Sequence, residues 1–355
     1  MMQSRVTAGM GKRMRITIIG AGAIGGTTGA FLTQAGHDVT LVDVIPEHVR
    51  LLNEQGVHLT GVRGDHYYPV RALLPEELAG PLGTVILAVK THFTEAALQQ
   101  YGPMLAPDGY IVSLQNGLNE EIIARHVGAE RTVGAFIHFG ADYLEPGLIR
   151  LGQEHDIFLG ELNGEITPRL HELQGVLSAV MPTYLTSNIW GYLWGKLVYG
   201  TMSFVISCID APAPEVLANP LARRVARAAA SETARIGAAQ GYSLEPIGPF
   251  EPTDFLPGPG WEERANGSLD RIADEMAHSI KQHTGVWRDL AVKKRKTEVE
   301  RHSEVAARGE ALGIPAPLNR AIVSLVHEIE RGERGMGWDN LDVLAATVSA
   351  EDPNV

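Results

Sequence analysis

Apolar residues follow two rhythms along this chain: short runs alternating with helical spacing in the first half, and helical spacing alone in the second. Brief apolar runs bounded by glycine or polar residues predict buried strands at Ile16–Ile19, Val39–Val42, 84–90, 109–117 and 131–140. Helices are expected between them, one following Gly25 and one over 94–105. Pro146-Gly147 and Gly152 punctuate a β-rich stretch at 145–162 that reads as a hairpin, ahead of a helical pattern at 167–181. After Pro182 the helical period predicts helices at 187–207, 214–240, 268–282, 286–311 and 317–331. The interruption at 243–263 carries five prolines and reads as a surface connector, with a lid over a cleft as the second reading. This order predicts an α/β protein with an N-terminal Rossmann-type parallel sheet domain at 14–185 and a C-terminal all-α domain at 186–335. An N-terminal extension at 1–13 and a tail at 336–355 flank them.

Composition narrows the function. A length of 355 residues suits two domains. The net charge of −12 repels phosphate backbones, and the one dense basic run, Lys293 to Lys296, is flanked by Asp289, Glu298 and Glu300; nucleic acid is not an expected partner. A single cysteine, Cys208, excludes an internal disulfide and fits a reducing compartment. The basic start lacks the apolar core of a secretory signal, so the expected location is cytoplasmic. Thirteen histidines show no ligand spacing, and no metal site is expected. The stretch from Ile189 to Ile209 is apolar enough to raise a membrane span, and Gly191, Gly195 and Gly200 would let another helix approach. Its central Lys196, Asp210 just beyond and the want of a second span favour a buried helix of a soluble core instead.

Two features carry chemistry. Gly20-x-Gly22-x-x-Gly25, with Ala23 and Ile24 between, joins a predicted strand to a predicted helix. That is where a tight turn, a close backbone approach and a helix N-terminus receive a dinucleotide pyrophosphate. Asp43 ends the next strand, placed to bond ribose hydroxyls and to repel a 2′-phosphate. NAD(H) is therefore the preferred cofactor, with NADP(H) as the alternative should Arg50 reach round. Lys90 and Asn116 end later strands, on the edge where open parallel sheets bind ligands. The second feature is Lys196 itself, set among Tyr192, Trp194, Leu197 and Val198. A buried ammonium costs several kcal/mol unless it is paired or neutralised, so its placement points to function or to a local break in burial.

In this order the pieces resemble the ketopantoate reductase (2-dehydropantoate 2-reductase) family: “GAGAIG” at 20–25, “AVK” at 88–90, “LQNG” at 114–117, “WGK” at 194–196, “RKTE” at 295–298 and “GIPAPLN” at 313–319. The likeness runs from Met14 to Arg331. The resemblance implies an NAD(P)-dependent oxidoreductase that passes a hydride to the carbonyl carbon of a 2-oxo acid in a cleft between two domains, in the family's case for pantothenate biosynthesis. It makes Lys196 the proton donor and Glu298, on a later helix, its carboxylate partner, with Lys90 and Asn116 bordering the cofactor. The family places asparagines four and eight residues after the lysine, where this chain has Gly200 and Phe204, with Ser203 and Ser207 near that face. The family's Ser-rich lead-in to the glutamate reads “HTGVWRDLAVKKRKTE” and offers Thr284 and Asp289. Gly200, Ser203, Thr284 and Asp289 are thus the expected substrate contacts, and the loss of amide donors predicts a substrate with an apolar arm. A small molecule and a second copy of the chain, as a homodimer, are the expected partners. Two alternatives stand: a related dehydrogenase of another carbonyl or imine, and an NAD-binding redox sensor with little turnover.

Overall fold

The computed structural model describes residues 13–278 and 282–348. Except for Arg13, the extension at 1–13 lies outside the described residues, as do 279–281 of the helix expected at 268–282 and 349–355 of the tail. The chain divides into two compact units, Met1–Ile189 and Trp190–Val355.

The strands of the first unit are β1 (Arg15–Ile19), β2 (Asp38–Val42), β3 (Val57–Gly61), β4 (His66–Tyr68), β5 (Arg71–Leu73), β6 (Leu82–Leu87), β7 (Leu105–Ser113), β8 (Thr132–Ile137), β9 (Gly140–Glu145), β10 (Leu148–Gln153), β11 (Ile157–Glu161) and β12 (Thr183–Leu185). Its helices are α1 (Ala23–Gln34), α2 (Pro46–Gln55), α3 (Thr94–Tyr101), α4 (Asn119–Val127) and α5 (Pro168–Leu177). Among the described residues an eight-stranded sheet runs β12-β11-β8-β7-β6-β1-β2-β5. From β5 to β8 every neighbouring pair is parallel, and β11 joins β8 antiparallel. Strand order reverses between β1 and β6, which opens the ligand crevice of a doubly wound sheet at their carboxyl ends. The Rossmann-type expectation is met.

A second sheet, β4-β3-β10-β9, was not predicted. The expected hairpin at 145–162 is split between the two sheets: β9 and β10 turn at Pro146-Gly147 in the second, while β11 joins the first. The second sheet packs on α1. A Cβ on Gly26 would strike Ile149 of β10, and one on Gly29 would crowd Leu41 of β2, so α1 is closed on both sides and Gly25 to Leu32 are all buried. A helix buried all round cannot show a polar face, which is why “GGTTGAFL” carries so little amphipathic signal.

The second unit is helical: α6 (Ile189–Ser207, beginning at the division), α7 (Ala213–Ala218), α8 (Pro220–Ala239), α9 (Trp261–Ala277), α10 (Gly285–Trp287), α11 (Glu300–Ala311), α12 (Pro317–Glu330) and α13 (Asp339–Ala345). The helix expected at 214–240 is two, because Pro220 can only start a helix and Asn219 caps it, its Oδ1 accepting from the N–H groups of Leu221 and Ala222. The helix expected at 286–311 is interrupted: α10 widens into a π-helical stretch at Arg288–Val292, and Lys294 at φ 46° ends it. Part of the tail is also ordered, since α13 buries Leu341 and Leu344. The proline-rich 243–263 is no surface connector. Phe250 and Phe255 are fully buried, the Glu245 N–H donates to the Gly191 carbonyl, and a Cβ on Gly195 would collide with the Glu245 carbonyl. The small residues of α6 thus admit a backbone strap of the same unit. Among the described residues no helix is long and apolar enough to cross a membrane.

Candidate active site

In the first unit the expected cofactor residues gather at the carboxyl edge of the parallel strands. Gly20 has φ 94° and lies against Val89, so a side chain there would be strained and crowded. A Cβ on Gly25 would strike the Gly20 carbonyl oxygen, whereas a Cβ on Gly22 would meet nothing within 4 Å among the described residues. Gly22 caps α1 without a side-chain hydrogen bond. An open approach to an uncapped helix start fits a pyrophosphate. The Asp43 carboxylate faces the same turn, Oδ2 accepting from Ala21 N–H at 2.9 Å and Oδ1 from Ile45 N–H at 3.1 Å. Arg50 is engaged on α2 by Glu47 at 2.8 Å and by Glu54.

Lys90 and Asn116 stand on the loops that follow β6 and β7. Polar side chains sew these loops together: Gln115 donates to the Val89 carbonyl at 2.8 Å and to Thr94 at 2.7 Å, and Thr91 donates to the Asn116 carbonyl at 3.1 Å. Asn119 donates to the same carbonyl at 2.6 Å. Sequence reasoning missed His48, which is fully buried on α2. Gly147 N–H donates to its Nδ1 at 2.9 Å, so Nε2 carries the proton and donates to the Ala21 carbonyl at 2.9 Å. His48 therefore pins the glycine turn to the β9–β10 turn. Nothing in its spacing marks that role, because its partners lie 27 and 99 residues away.

In the second unit, between Gly191 and Cys208, only Tyr192, Lys196, Tyr199 and Ser203 keep partial exposure. Steps of four, three and four residues put them on one face. Lys196 thus lies on the single open stripe of a closed helix. Ser203 lines a small pocket, partly open to solvent and with free room for about one water molecule, whose other walls include Tyr199, Met202, Ile206, Leu269 and Thr284. Thr284 caps α10 through Trp287 N–H and bonds Ser207 at 2.5 Å. Asp289 is held by Arg295, Nη2 to Oδ1 at 2.7 Å. Glu298 precedes α11 rather than lying within it, because the turn at Lys294 redirects the chain. Thr297 then anchors the segment to Glu330 through its N–H at 2.6 Å and its hydroxyl at 2.7 Å. Gly200 is buried, and its missing side chain leaves room for Arg301, whose Nη2 lies 3.7 Å from where a Cβ would stand.

A model of the ketopantoate reductase PanE/ApbA family matches residues 16–164, and that of its C-terminal domain matches 188–330. A 2-dehydropantoate 2-reductase of Mesorhizobium japonicum is 30% identical over 66% of this chain and 79% of its own length. The chain belongs to the PanE/ApbA ketopantoate reductase family. It is an oxidoreductase of that family with an NAD(P)H-binding fold. A solved family member from Ralstonia eutropha is 26% identical, covered over 90% of this chain and 99% of its own, with a TM-score of 0.74. A D-mandelate dehydrogenase solved with NADH and anilino(oxo)acetate shares the fold at a TM-score of 0.78 and 23% identity, over 90% of this chain and 99% of its own.

In this PanE/ApbA chain the “GIPAPLN” motif proves structural. Glu232, buried on α8, accepts the N–H groups of Leu318 and Asn319 at 2.9 Å each and so caps α12. Asn319 in turn accepts from Thr233 at 3.2 Å and bonds His302 Nδ1 at 3.0 Å. Burial, and then the nearby Arg301 charge, push the His302 imidazole down to about 3, against a smaller upward pull from Asn319.

Proposed function

We propose that this protein reduces a 2-oxo acid with NADH, and that the acid carries an apolar or aromatic group beyond its carbonyl. The observation that carries this reading is the one open stripe of α6, which sets Lys196 in line with Tyr199 and Ser203 on a helix otherwise closed. A bound dihydronicotinamide supplies the hydride to the carbonyl carbon. The Lys196 ammonium stabilises the charge that develops on the carbonyl oxygen and delivers the proton, then regains one from solvent. A positioned acid of this kind contributes about 10² to 10⁴ in rate. Glu298 keeps the lysine charged and oriented. Gly20, Gly22, Ala23, Ile24 and Gly25 receive the pyrophosphate, Asp43 the adenosine ribose, and Lys90 and Asn116 border the nicotinamide end. The engagement of Arg50 with two glutamates supports NADH over NADPH.

Gly200 and Phe204, standing where the family has amide donors, and the mostly apolar wall of the small pocket beside Ser203 support the substrate's apolar arm. Met202, Ile206, Leu217, Leu269, Ile272 and Met276 make most of its wall, and of its hydroxyls Ser203 donates to the Tyr199 carbonyl and Thr284 is bonded to Ser207, which leaves little to reward the hydroxyl of ketopantoate. On this reading ketopantoate is a poor substrate and pantothenate synthesis is not the main role. Initial rates of NADH oxidation with a panel of 2-oxo acids test it. The expected result is a kcat/KM about tenfold or more higher for 4-methyl-2-oxopentanoate or phenylglyoxylate than for ketopantoate. Efficient turnover of ketopantoate with the bulkier acids inert would overturn the substrate assignment. Tight NADH binding without oxidation by any acid would favour a redox sensor.

A further inference from the structure

Arg301, in the first turn of α11, has no hydrogen-bonded or ion-paired counterpart for its guanidinium among the described residues, and its buried Nε has none either. Buried polar atoms are satisfied as a rule, and an unsatisfied one calls for an explanation. The surroundings explain how the charge is tolerated. The guanidinium carbon lies 5.2 Å from the centroid of the Phe204 ring, and the bare backbone of Gly200 makes room for it. They do not supply an acceptor. Burial lowers the Arg301 pKa from its usual range, opposed by the negative charge of Glu298 three residues earlier.

We infer that Arg301 binds the carboxylate of the 2-oxo acid. This rests on the 2-oxo acid reading of the same site and adds the group that selects for the acid. The spacing suits it: Arg301 lies against α6 at Gly200, one turn beyond Lys196, and positions four apart on a helix face are about 6 Å from each other. In a 2-oxo acid the carbonyl and carboxylate carbons are bonded directly, so a proton donor and an anion receptor must be close neighbours. The planar guanidinium presents two parallel N–H donors to the two carboxylate oxygens, a match an ammonium does not offer. Gly200 then serves the substrate indirectly, by leaving space for the arginine rather than by touching the acid.

Calorimetric titration of oxamate, a carboxylate mimic that is not reduced, into NADH-saturated protein tests this. The parent should bind oxamate, and Arg301→Gln should bind it about tenfold to a hundredfold more weakly, with NADH affinity unchanged. In turnover, the parent should favour a 2-oxo acid over its methyl ester, and Arg301→Gln should lose that preference, which a merely structural arginine would not cause. Oxamate binding within threefold of the parent, or a parent that does not bind oxamate, overturns the inference. Should the variant fail to fold, phenylglyoxal labelling of the native protein, mapped by peptide mass, decides instead. Oxamate should protect Arg301, and equal labelling with and without oxamate, or no labelling at all, counts against it. Oxamate binding through Arg301 without reduction of any 2-oxo acid would sink the reductase reading alone. Turnover of 2-oxo acids with normal oxamate binding in Arg301→Gln would sink this one alone.

Discussion

The Asp43 carboxylate ties the end of β2 to the glycine turn, accepting the Ala21 N–H at 2.9 Å. It thereby holds the shape of the glycine turn, and on the proposed reading each oxygen keeps a lone pair for a ribose hydroxyl. Asp43→Asn retains one carbonyl oxygen but loses the charge. NADH affinity should fall about tenfold, with NADPH affinity falling less, since a repelling charge is removed. Fluorescence titration of both nucleotides checks this, and an unchanged ratio would remove Asp43 from cofactor selection.

Two glycines of the turn should behave differently. Gly22→Ala adds a methyl group into open space and should leave the unfolding midpoint nearly unchanged while abolishing measurable NADH binding. Gly25→Ala drives a methyl group into the Gly20 carbonyl and should cost about 1–3 kcal/mol of stability before any cofactor is added. Urea melts with and without NADH separate the two effects.

Lys196→Met keeps a similar stem on α6 and loses the charge. Single-turnover hydride transfer at saturating NADH should slow by about 10² to 10⁴ while NADH still binds. Glu298→Gln should slow it less. On the proposed mechanism the two act as one unit, so the double variant should be far faster than the product of the separate losses implies. A Lys196→Met protein within tenfold of the parent would exclude Lys196 as proton donor.

His302 makes stability depend on pH. Its folded pKa of about 3 lies below the unfolded value near 6.5, so between these limits the unfolded chain holds a proton that the folded one refuses. The contribution is present above pH 6.5 and is lost progressively as pH falls toward 3, up to about 4–5 kcal/mol in all. His302→Leu should flatten the slope of unfolding free energy between pH 6 and 4 by about 1.4 kcal/mol per unit. Equal slopes in the two proteins would contradict the assignment.

Cys208 should be inert in the native protein. Burial pushes its thiol up to about 12, and its Sγ–H donates to the Phe204 carbonyl at 3.2 Å. Thiol reagents should label it at the rate of unfolding, and rapid labelling at neutral pH would show the helix to be open there.

Local pattern alone determined the parallel strands, the glycine turn, Asp43 and the run of helices, because each is written in residues close in sequence: an apolar run, a Gly-x-Gly-x-x-Gly spacing, a helical period. Pro220 and the Pro-rich 243–263 were equally visible, yet the first acted through a cap formed next to it and the second through a core that only the folded unit supplies. Asn219 supplied a cap that turned one predicted helix into two, and Phe250 and Phe255 found a core that turned a connector into a packed strap. The sheet over α1 escaped notice because its two halves, β3–β4 and β9–β10, are separated in sequence by strands of the other sheet, and because a helix covered on both faces shows no polar stripe. Lys196 was legible as an anomaly, but only the folded α6 shows it on the one open stripe. Arg301 was legible as nothing at all. A charge beside a glutamate on a helix reads as solvated surface, and its meaning depends on the absence of a partner among the described residues, a property of three-dimensional packing that no spacing along the chain encodes.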